Sequence, residues 1–402
     1  MSKPLQDAYI VAATRTPIGK SHKGYFRHTR PDELLAHTLR AALAQAPGLE
    51  PAAIEDVICG CAIPEAQQGL NVARVGAVLA GLPKSVGGIT VNRFCASGLS
   101  AVAMAADRIR VGEAEVMVAA GVESMSMVPM MGNSPSLSPA IFRNTDDVDD
   151  YGIAYGMGLT AEKVAQQWKV SREAQDAFAL ESHQRALRAI AAGEFKDEIT
   201  PVTVTERQPN LKTAEVSERT RTVDVDEGPR PDTSLEGLAK LRPVFAARGS
   251  VTAGNSSQTS DGAGALILAS EAAITRFGLT PLARFVSYAS RGVPPHIMGI
   301  GPIEAIPAAL QYAGLTQEQL DWIELNEAFA AQSLAVINTL GLDAAKVNPL
   351  GGAIALGHPL GATGAIRAAT VVHGLRRRQL KYGMVTMCVG MGQGAAGIFE
   401  RV

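Results

Sequence analysis

Cys95 stands in the run Val91-Asn92-Arg93-Phe94-Cys95-Ala96-Ser97-Gly98-Leu99-Ser100, after a strand-like stretch and directly before a helical pattern from Leu99 to Arg110. That order puts the sulfur at a helix N-terminus. Unpaired N–H groups and the positive end of the helix dipole there favour the thiolate, the nucleophilic form of cysteine. Ala96, Ser97 and Gly98 are small and leave room for a substrate. The alternative is an inert buried thiol, and this segment alone does not separate the two.

Three further residues could work with such a nucleophile. His358 lies in Gly351-Gly352-Ala353-Ile354-Ala355-Leu356-Gly357-His358-Pro359-Leu360-Gly361-Ala362-Thr363-Gly364, a glycine-rich loop ahead of a helical stretch from Ala365 to Arg376. Glycine permits positive φ and close backbone approach. An imidazole on that loop can take the proton of Cys95 and then donate a hydrogen bond to an acyl oxygen. Cys388 ends an apolar run and enters Val389-Gly390-Met391-Gly392-Gln393-Gly394, where a second thiol can serve as acid and base; its alternative is an ordinary buried strand residue. Asn326, in Glu324-Leu325-Asn326-Glu327-Ala328-Phe329-Ala330, offers an amide that can position a water or a carbonyl oxygen.

Other signals fail. Gly392-Gln393-Gly394-Ala395-Ala396-Gly397 matches a dinucleotide fingerprint, but the residues after it read as strand where that fold requires a helix. Cys59-Gly60-Cys61 is too tightly spaced for a zinc pair and has no second pair, so no metal is expected.

These residues sit on short apolar runs alternating with Ala-rich helical stretches, the pattern of an α/β sheet covered by helices. Tyr9 to Ala13 opens it. A helical stretch from Asp32 to Ala46 followed by Ile54 to Ile58 is echoed by Thr316 to Leu320 followed by Asp321 to Leu325. Val91-Asn92, a turn, a helix and the strand Val116 to Gly121 are echoed by Val347-Asn348, a longer turn, a helix and Val385 to Gly390. Duplication of one α/β unit explains both pairs; chance likeness between Ala/Val-rich segments is the alternative. Between the copies, 123–249 reads as an excursion. It carries an acidic run from Asp146 to Asp150, one long helix from about Ala161 to Ala192, and a polar stretch from Thr205 to Arg230.

With 402 residues, 47% of them hydrophobic and 19% charged, the chain can bury a large core and form more than one domain. A formal net charge of -2 gives no general attraction for nucleic acid or an anionic membrane. No apolar run is long enough to span a membrane. The first residues resemble neither a signal peptide nor a presequence, and Glu400-Arg401-Val402 is no peroxisomal address. With four cysteines, too few for a disulfide framework in a chain of this length, the expectation is a reducing, cytoplasmic location.

Taken together, these segments resemble the thiolase family from Ile10 to Arg401. Asn92 to Gly98 is similar to its nucleophile box, Asn326 to Phe329 to its Asn-Glu-Ala-Phe motif, Gly351 to Gly364 to its Gly-His-Pro box, and Cys388 to Gly394 to its C-terminal cysteine box. The resemblance implies a five-layered α-β-α-β-α fold of two duplicated halves plus a loop domain. The N-terminal half would comprise 1–122 and 250–275, the loop domain 123–249, and the C-terminal half 276–402.

The resemblance further implies a ping-pong reaction on acyl-CoA and CoA, which are substrates, with no cofactor. His358 would activate Cys95, and Cys388 would protonate the departing carbanion. His358 with a water held by Asn326, and the backbone N–H groups of Cys95 and Gly390, would form two oxyanion sites. Met157, Arg230, Phe245, Ala253, Ser257 and Phe329 fall on matching CoA-binding positions, with Arg230 toward the nucleotide. A homodimer or homotetramer is implied, and for some bacterial members a complex with a hydratase-dehydrogenase subunit. Gly156 and Gln258 stand where short-chain biosynthetic members often carry histidine and glycine, while Gly24 to Arg27 and Met157 to Glu162 look more like bacterial β-oxidation thiolases. The expected activity is therefore thiolytic cleavage of 3-ketoacyl-CoA in fatty-acid β-oxidation. The alternatives are an acetoacetyl-CoA thiolase condensing two acetyl-CoA and a non-catalytic lipid-binding relative. A decarboxylating ketoacyl synthase would share the duplicated fold, but the Cys388 box argues against it.

Overall fold

The computed structural model describes residues 5–143 and 150–402, so Asp146 to Asp149 of the acidic run lie outside the described residues. Strands β1 (Tyr9–Arg15) and β2 (Gly19–Lys20) lead to α1 (Pro31–Ala44), β3 (Asp56–Gly60), α2 (Val72–Leu79), β4 (Ile89–Val91), α3 (Ser97–Arg110) and β5 (Val116–Ser124). The excursion supplies α4 (Met157–Gln167), α5 (Arg172–Ala191), a hairpin of β6 (Val202–Asn210) and β7 (Glu215–Val223), and α6 (Leu235–Ala239). Then come β8 (Ser260–Ala269), α7 (Glu271–Phe277), β9 (Ala283–Gly292), α8 (Gly301–Ala313), β10 (Trp322–Leu325), α9 (Ala330–Leu340), α10 (Ala353–Leu356), α11 (Leu360–Arg377), β11 (Tyr382–Val389) and β12 (Gln393–Arg401).

The main sheet runs β10-β11-β12-β9-β1-β8-β5-β3-β4, with β2 beside β8. Its middle is thin: β1 and β9 pair only through Tyr9↔Arg284 and Ile10↔Ala283. On one side lies β4-β3-β5-β8-β1; on the other, Val347 bridges Ile323 of β10 in parallel, giving the order Val347-β10-β11-β12-β9. Numbered along the chain within each segment, both orders read third-second-fourth-fifth-first. Pairing directions also agree, parallel around β3 and β10 and antiparallel beyond β5 and β11.

Alternation along the strands builds the layers. Val57, Cys59, Val116 and Val118 face a core with Leu34, Leu35 and Leu39 of α1, whereas Ile58, Met117 and Ala119 face α3 and α11. Across the central helices, Val385, Met387 and Ala395 share that inner core, while Met384, Ala396 and Ile398 face Ala305, Ile306 and Ala309 of α8. The result is helix, sheet, helix, sheet, helix. Strands covered on both faces read as unbroken apolar runs, and β5 is buried at every position.

One reading of the excursion needs correction. The long helix is two helices, α4 and α5. Lys169 between them takes φ +54°, and the Ser171 hydroxyl accepts the Ala174 N–H at 3.2 Å to start α5 afresh. The polar stretch is the largely exposed β6–β7 hairpin, anchored by Val202, Val204 and Val223.

Candidate active site

Helices α3 and α11 meet near their N-termini, and glycine sets how closely. A Cβ on Gly98 would lie 2.7 Å from Ala365 N and 2.8 Å from Gly361 O, and one on Gly364 would run into Leu99 N. Neither position has space for any side chain. This approach brings the loop before each helix to one place, so that Cys95 and His358 line a common cavity of about 620 Å³ with Cys388 from the end of β11. Gly357, at φ +103°, turns the chain into His358.

Side chains brace the Cys95 turn. Asn92 Oδ1 accepts the Phe94 N–H at 2.8 Å; Ser97 Oγ accepts the Arg93 N–H at 2.8 Å and donates to Phe94 O at 2.7 Å. Together they hold Phe94 at φ +42°, an uncommon conformation for a bulky residue.

The electrostatics correct one expectation. Burial pushes the Cys95 thiol up to about 12, although the N–H groups of Gly390 and of Cys95 itself pull the other way. The resting sulfur is therefore protonated, and the helix terminus does not by itself make a thiolate. Burial, and then the positive charge of Arg367, hold His358 down to about 3, so its imidazole is neutral. Its Nδ1 lies 2.6 Å from Thr363 Oγ1 and its Nε2 3.3 Å from Asn326 Nδ2. The Cys388 thiol is pushed up by burial and then by proximity to Cys95. A neutral imidazole thus shares the cavity with two thiols that burial keeps protonated.

Residues given no positioning role from the sequence hold this set in place. Buried Glu123, at the end of β5, accepts N–H groups from Ala62 (2.7 Å), Ile63 (3.3 Å) and Gly361 (2.8 Å), and the Gln68 amide. It thus ties the histidine loop to the end of β3. Glu327 accepts the Ser182 hydroxyl at 2.6 Å, the Asn348 amide at 2.8 Å and the Ile354 N–H at 3.1 Å, joining α5 to the same loop. Gln258 donates to Gly228 O, Ile354 O and Ala355 O at 3.0, 3.1 and 3.0 Å, so its amide is a structural clamp. A carboxylate with this many N–H donors needs the fold to be recognised. Cys59 and Cys61 are buried thiols at the end of β3, both pushed up by burial.

Met157, Phe245, Ser257 and Phe329 line the Cys95 cavity, where the Phe245 and Phe329 rings meet edge to face at 6.0 Å. Asn326 is buried behind His358, and its Oδ1 has no protein partner. Arg230 and Ala253 do not line that cavity. They border an adjoining cleft of about 410 Å³ with Lys20 and His183; Gln258 lines both. Gly390 and Cys95 border a third space of about 230 Å³, walled by Ile63, Phe94, Met131, Leu137, Ile153 and Met391. A Cβ on Gly156 would meet nothing within 4 Å, so the missing side chain leaves the cavity wider.

The family descriptions "Thiolase, N-terminal domain" and "Thiolase, C-terminal domain" match residues 8–272 and 279–401. The 3-ketoacyl-CoA thiolase of Bacillus subtilis (strain 168) is 50% identical over 400 residues, covering 98% of this chain and 100% of its own. Peroxisomal 3-ketoacyl-CoA thiolase A of Rattus norvegicus is 48% identical over 395 residues, covering 98% of this chain and 88% of its own. The crystal structure of human mitochondrial 3-ketoacyl-CoA thiolase in complex with CoA superposes with a TM-score of 0.87 at 40% identity, covering 99% of this chain and 98% of that one.

Proposed function

The chain belongs to the thiolase family of acyltransferases, and from that premise we propose that it cleaves 3-ketoacyl-CoA with CoA, giving acetyl-CoA and a shortened acyl-CoA in fatty-acid β-oxidation. The observation that carries the reading is the meeting of Cys95, His358 and Cys388 in one cavity.

The steps follow from the protonation states. Neutral His358 takes the Cys95 proton as the sulfur attacks the 3-keto carbon, which overcomes the burial that keeps the thiol protonated. The new oxyanion falls to the Cys95 and Gly390 N–H groups, which already face the sulfur. The C2–C3 bond then breaks, and its electron pair takes the proton that burial has retained on Cys388, releasing acetyl-CoA. In the second half-reaction Cys388 takes the proton of incoming CoA, whose sulfur attacks the Cys95 thioester; the bond from the acyl carbon to Cys95 breaks, and its sulfur takes back the proton held by His358. His358, with a water on Asn326, serves the thioester oxygen; the unpartnered, buried Asn326 Oδ1 supports that water site.

Met157, Phe245, Ser257 and Phe329 would hold the pantetheine arm, and Arg230 and Ala253 in the adjoining cleft the nucleotide end. The space beyond Cys95 suits the alkyl chain: none of its walls among the described residues is charged, which supports neutral, linear acyl groups. In this reading the functional units are those expected from the sequence, 1–122 with 250–275, 123–249 and 276–402.

The reading includes a homo-oligomer. Strand β4 ends the sheet with an open edge, and Leu70, Val78, Leu79, Ile89 and Met104 stand exposed beside it, a surface that suits a second copy. No helix among the described residues is long and apolar enough to cross a membrane. The four unpaired cysteines suit a reducing, cytoplasmic setting. Since the substrate arises by hydration and oxidation of an enoyl-CoA, a hydratase-dehydrogenase subunit is the partner whose product this site would take.

The test is CoA-dependent cleavage of 3-ketoacyl-CoA across chain lengths, with the Cys95 adduct trapped and identified by mass spectrometry. Faster turnover of medium or long chains supports the degradative reading. Preference for acetoacetyl-CoA moves the protein to the short-chain class, and no cleavage with no adduct leaves a binding protein. Cys95→Ala should abolish transfer.

A further inference from the structure

His358 can be a base toward Cys95 only if its proton sits on Nδ1 and Nε2 carries a lone pair. Nothing in the glycine-rich loop as a sequence decides this. The decision falls to whatever faces Nδ1, and that is Thr363, five residues on, in the first turn of α11. Its hydroxyl is buried, lies 2.6 Å from Nδ1, and donates to Pro359 O at 3.2 Å, one helical turn back.

We propose that Thr363 is the positioning residue that sets the tautomer of His358: its single hydroxyl proton is committed to Pro359 O, so its oxygen accepts Nδ1–H and leaves Nε2 unprotonated. This rests on the reading of His358 as the base of the thiolase reaction. The other side of the ring agrees with it. Asn326 presents Nδ2, 3.3 Å from Nε2, and an amide N–H there needs a lone pair to meet. The opposite network is also self-consistent: Thr363 would donate to Nδ1, the Asn326 amide would turn over, and Cys95 would face an N–H with no base. The two networks differ by one proton and are distinguishable by experiment.

The choice of a hydroxyl has a further effect. A carboxylate at Nδ1 would stabilise the imidazolium and raise its affinity for the proton. A neutral hydroxyl orients the ring without doing so, and the positive charge of Arg367 acts against protonation of the ring. His358 therefore holds a proton briefly and returns it, as a ping-pong reaction with two proton relays requires.

The experiment is ¹⁵N NMR of histidine-labelled full-length protein in the resting state, with His358 assigned by its loss in His358→Asn. The wild type should show the Nδ1–H tautomer. Thr363→Val, of the same shape but without the hydroxyl, should shift the population toward Nε2–H and lower kcat/KM by about 10²-fold, the low end of what positioned proton transfer contributes. Thr363→Ser should restore both the tautomer and most of the rate. An Nε2–H wild type overturns the proposal without need of any variant. So does a Thr363→Val protein that keeps the wild-type tautomer, whether its rate holds or falls. Normal turnover in His358→Asn would instead sink the catalytic reading and leave the tautomer measurement standing.

Discussion

The two sheet segments share strand order and direction, and their registers align residue by residue. Ile58 pairs with Ile89 as Ile323 meets Val347, and Gly60 pairs with Gly121 as Leu325 pairs with Thr386. Counting onward, Cys61 corresponds to Asn326, and Glu123 to Cys388. One pair is sealed in a hydrogen-bond network beneath the histidine loop; of the other, Cys388 lines the cavity and Asn326 lies buried 3.3 Å from His358 Nε2. The contrast shows how a duplicated scaffold divides labour. Both copies deliver polar side chains to the ends of their central strands, but only the copy that faces the cavity can use them for chemistry. A second difference has the same root. Strands β11 and β12 are joined by a tight turn at Val389 to Gly392, while the equivalent strands β5 and β8 are separated by the whole excursion, which supplies Met157 and Phe245 as walls.

Substituting the paired positions tests this division most directly. Cys388→Ala should cost about 10²- to 10⁴-fold in 3-ketoacyl-CoA cleavage while acetyl-CoA, whose thiolate can leave without a proton, still acylates Cys95, seen as a mass increment on the intact protein. Equal loss of acylation from acetyl-CoA would break the assignment of Cys388 to protonation of the carbanion. The thiol itself offers the next test. Because burial holds Cys95 up to about 12, its thiolate fraction rises with pH throughout the working range. Iodoacetamide inactivation should climb roughly tenfold per pH unit from pH 7 to 9 with no plateau. A plateau near neutrality would mean a resting thiolate. Glu123→Gln should act on stability, lowering unfolding free energy in urea by about 2–3 kcal/mol as N–H donors lose a carboxylate. Its kcat/KM should fall less than about tenfold; a loss matching Cys388→Ala would erase the contrast. The smallest effect expected is for Gly156→His, which fills open space in the cavity and should lower medium-chain relative to acetoacetyl-CoA turnover about tenfold.

Much of this was legible before the fold. Cys95, Asn326, His358 and Cys388 stand out because each interrupts an apolar or glycine-rich run with a reactive side chain, and the echo between Val91-Asn92 and Val347-Asn348 announced the repeat. What composition could not give was partnership. Thr363 lay unnoticed inside the histidine segment because its meaning depends on a 2.6 Å contact to Nδ1. Glu123 carries no signal of its own in the sequence because the donors that surround it come from residues near 62, 68 and 361. The protonated resting thiol is hidden for a similar reason: a helix terminus is visible in sequence, and the desolvation that opposes it is not. The break between α4 and α5 was hidden because Lys169 and Ser171 are both tolerated inside helices.

The glycine crossing of α3 and α11 also bears on how the protein acquires its activity. Cys95 and His358 are separated by most of the chain; the helix after Cys95 packs on strands of its own sheet segment, whereas the helix after His358 lies against strands of both segments. The first segment can therefore gain its strands and α3 before α11 docks and brings the two residues together. During refolding, then, recovery of secondary structure and recovery of turnover report different events, and the second dates the moment when Gly98 and Gly364 come into register.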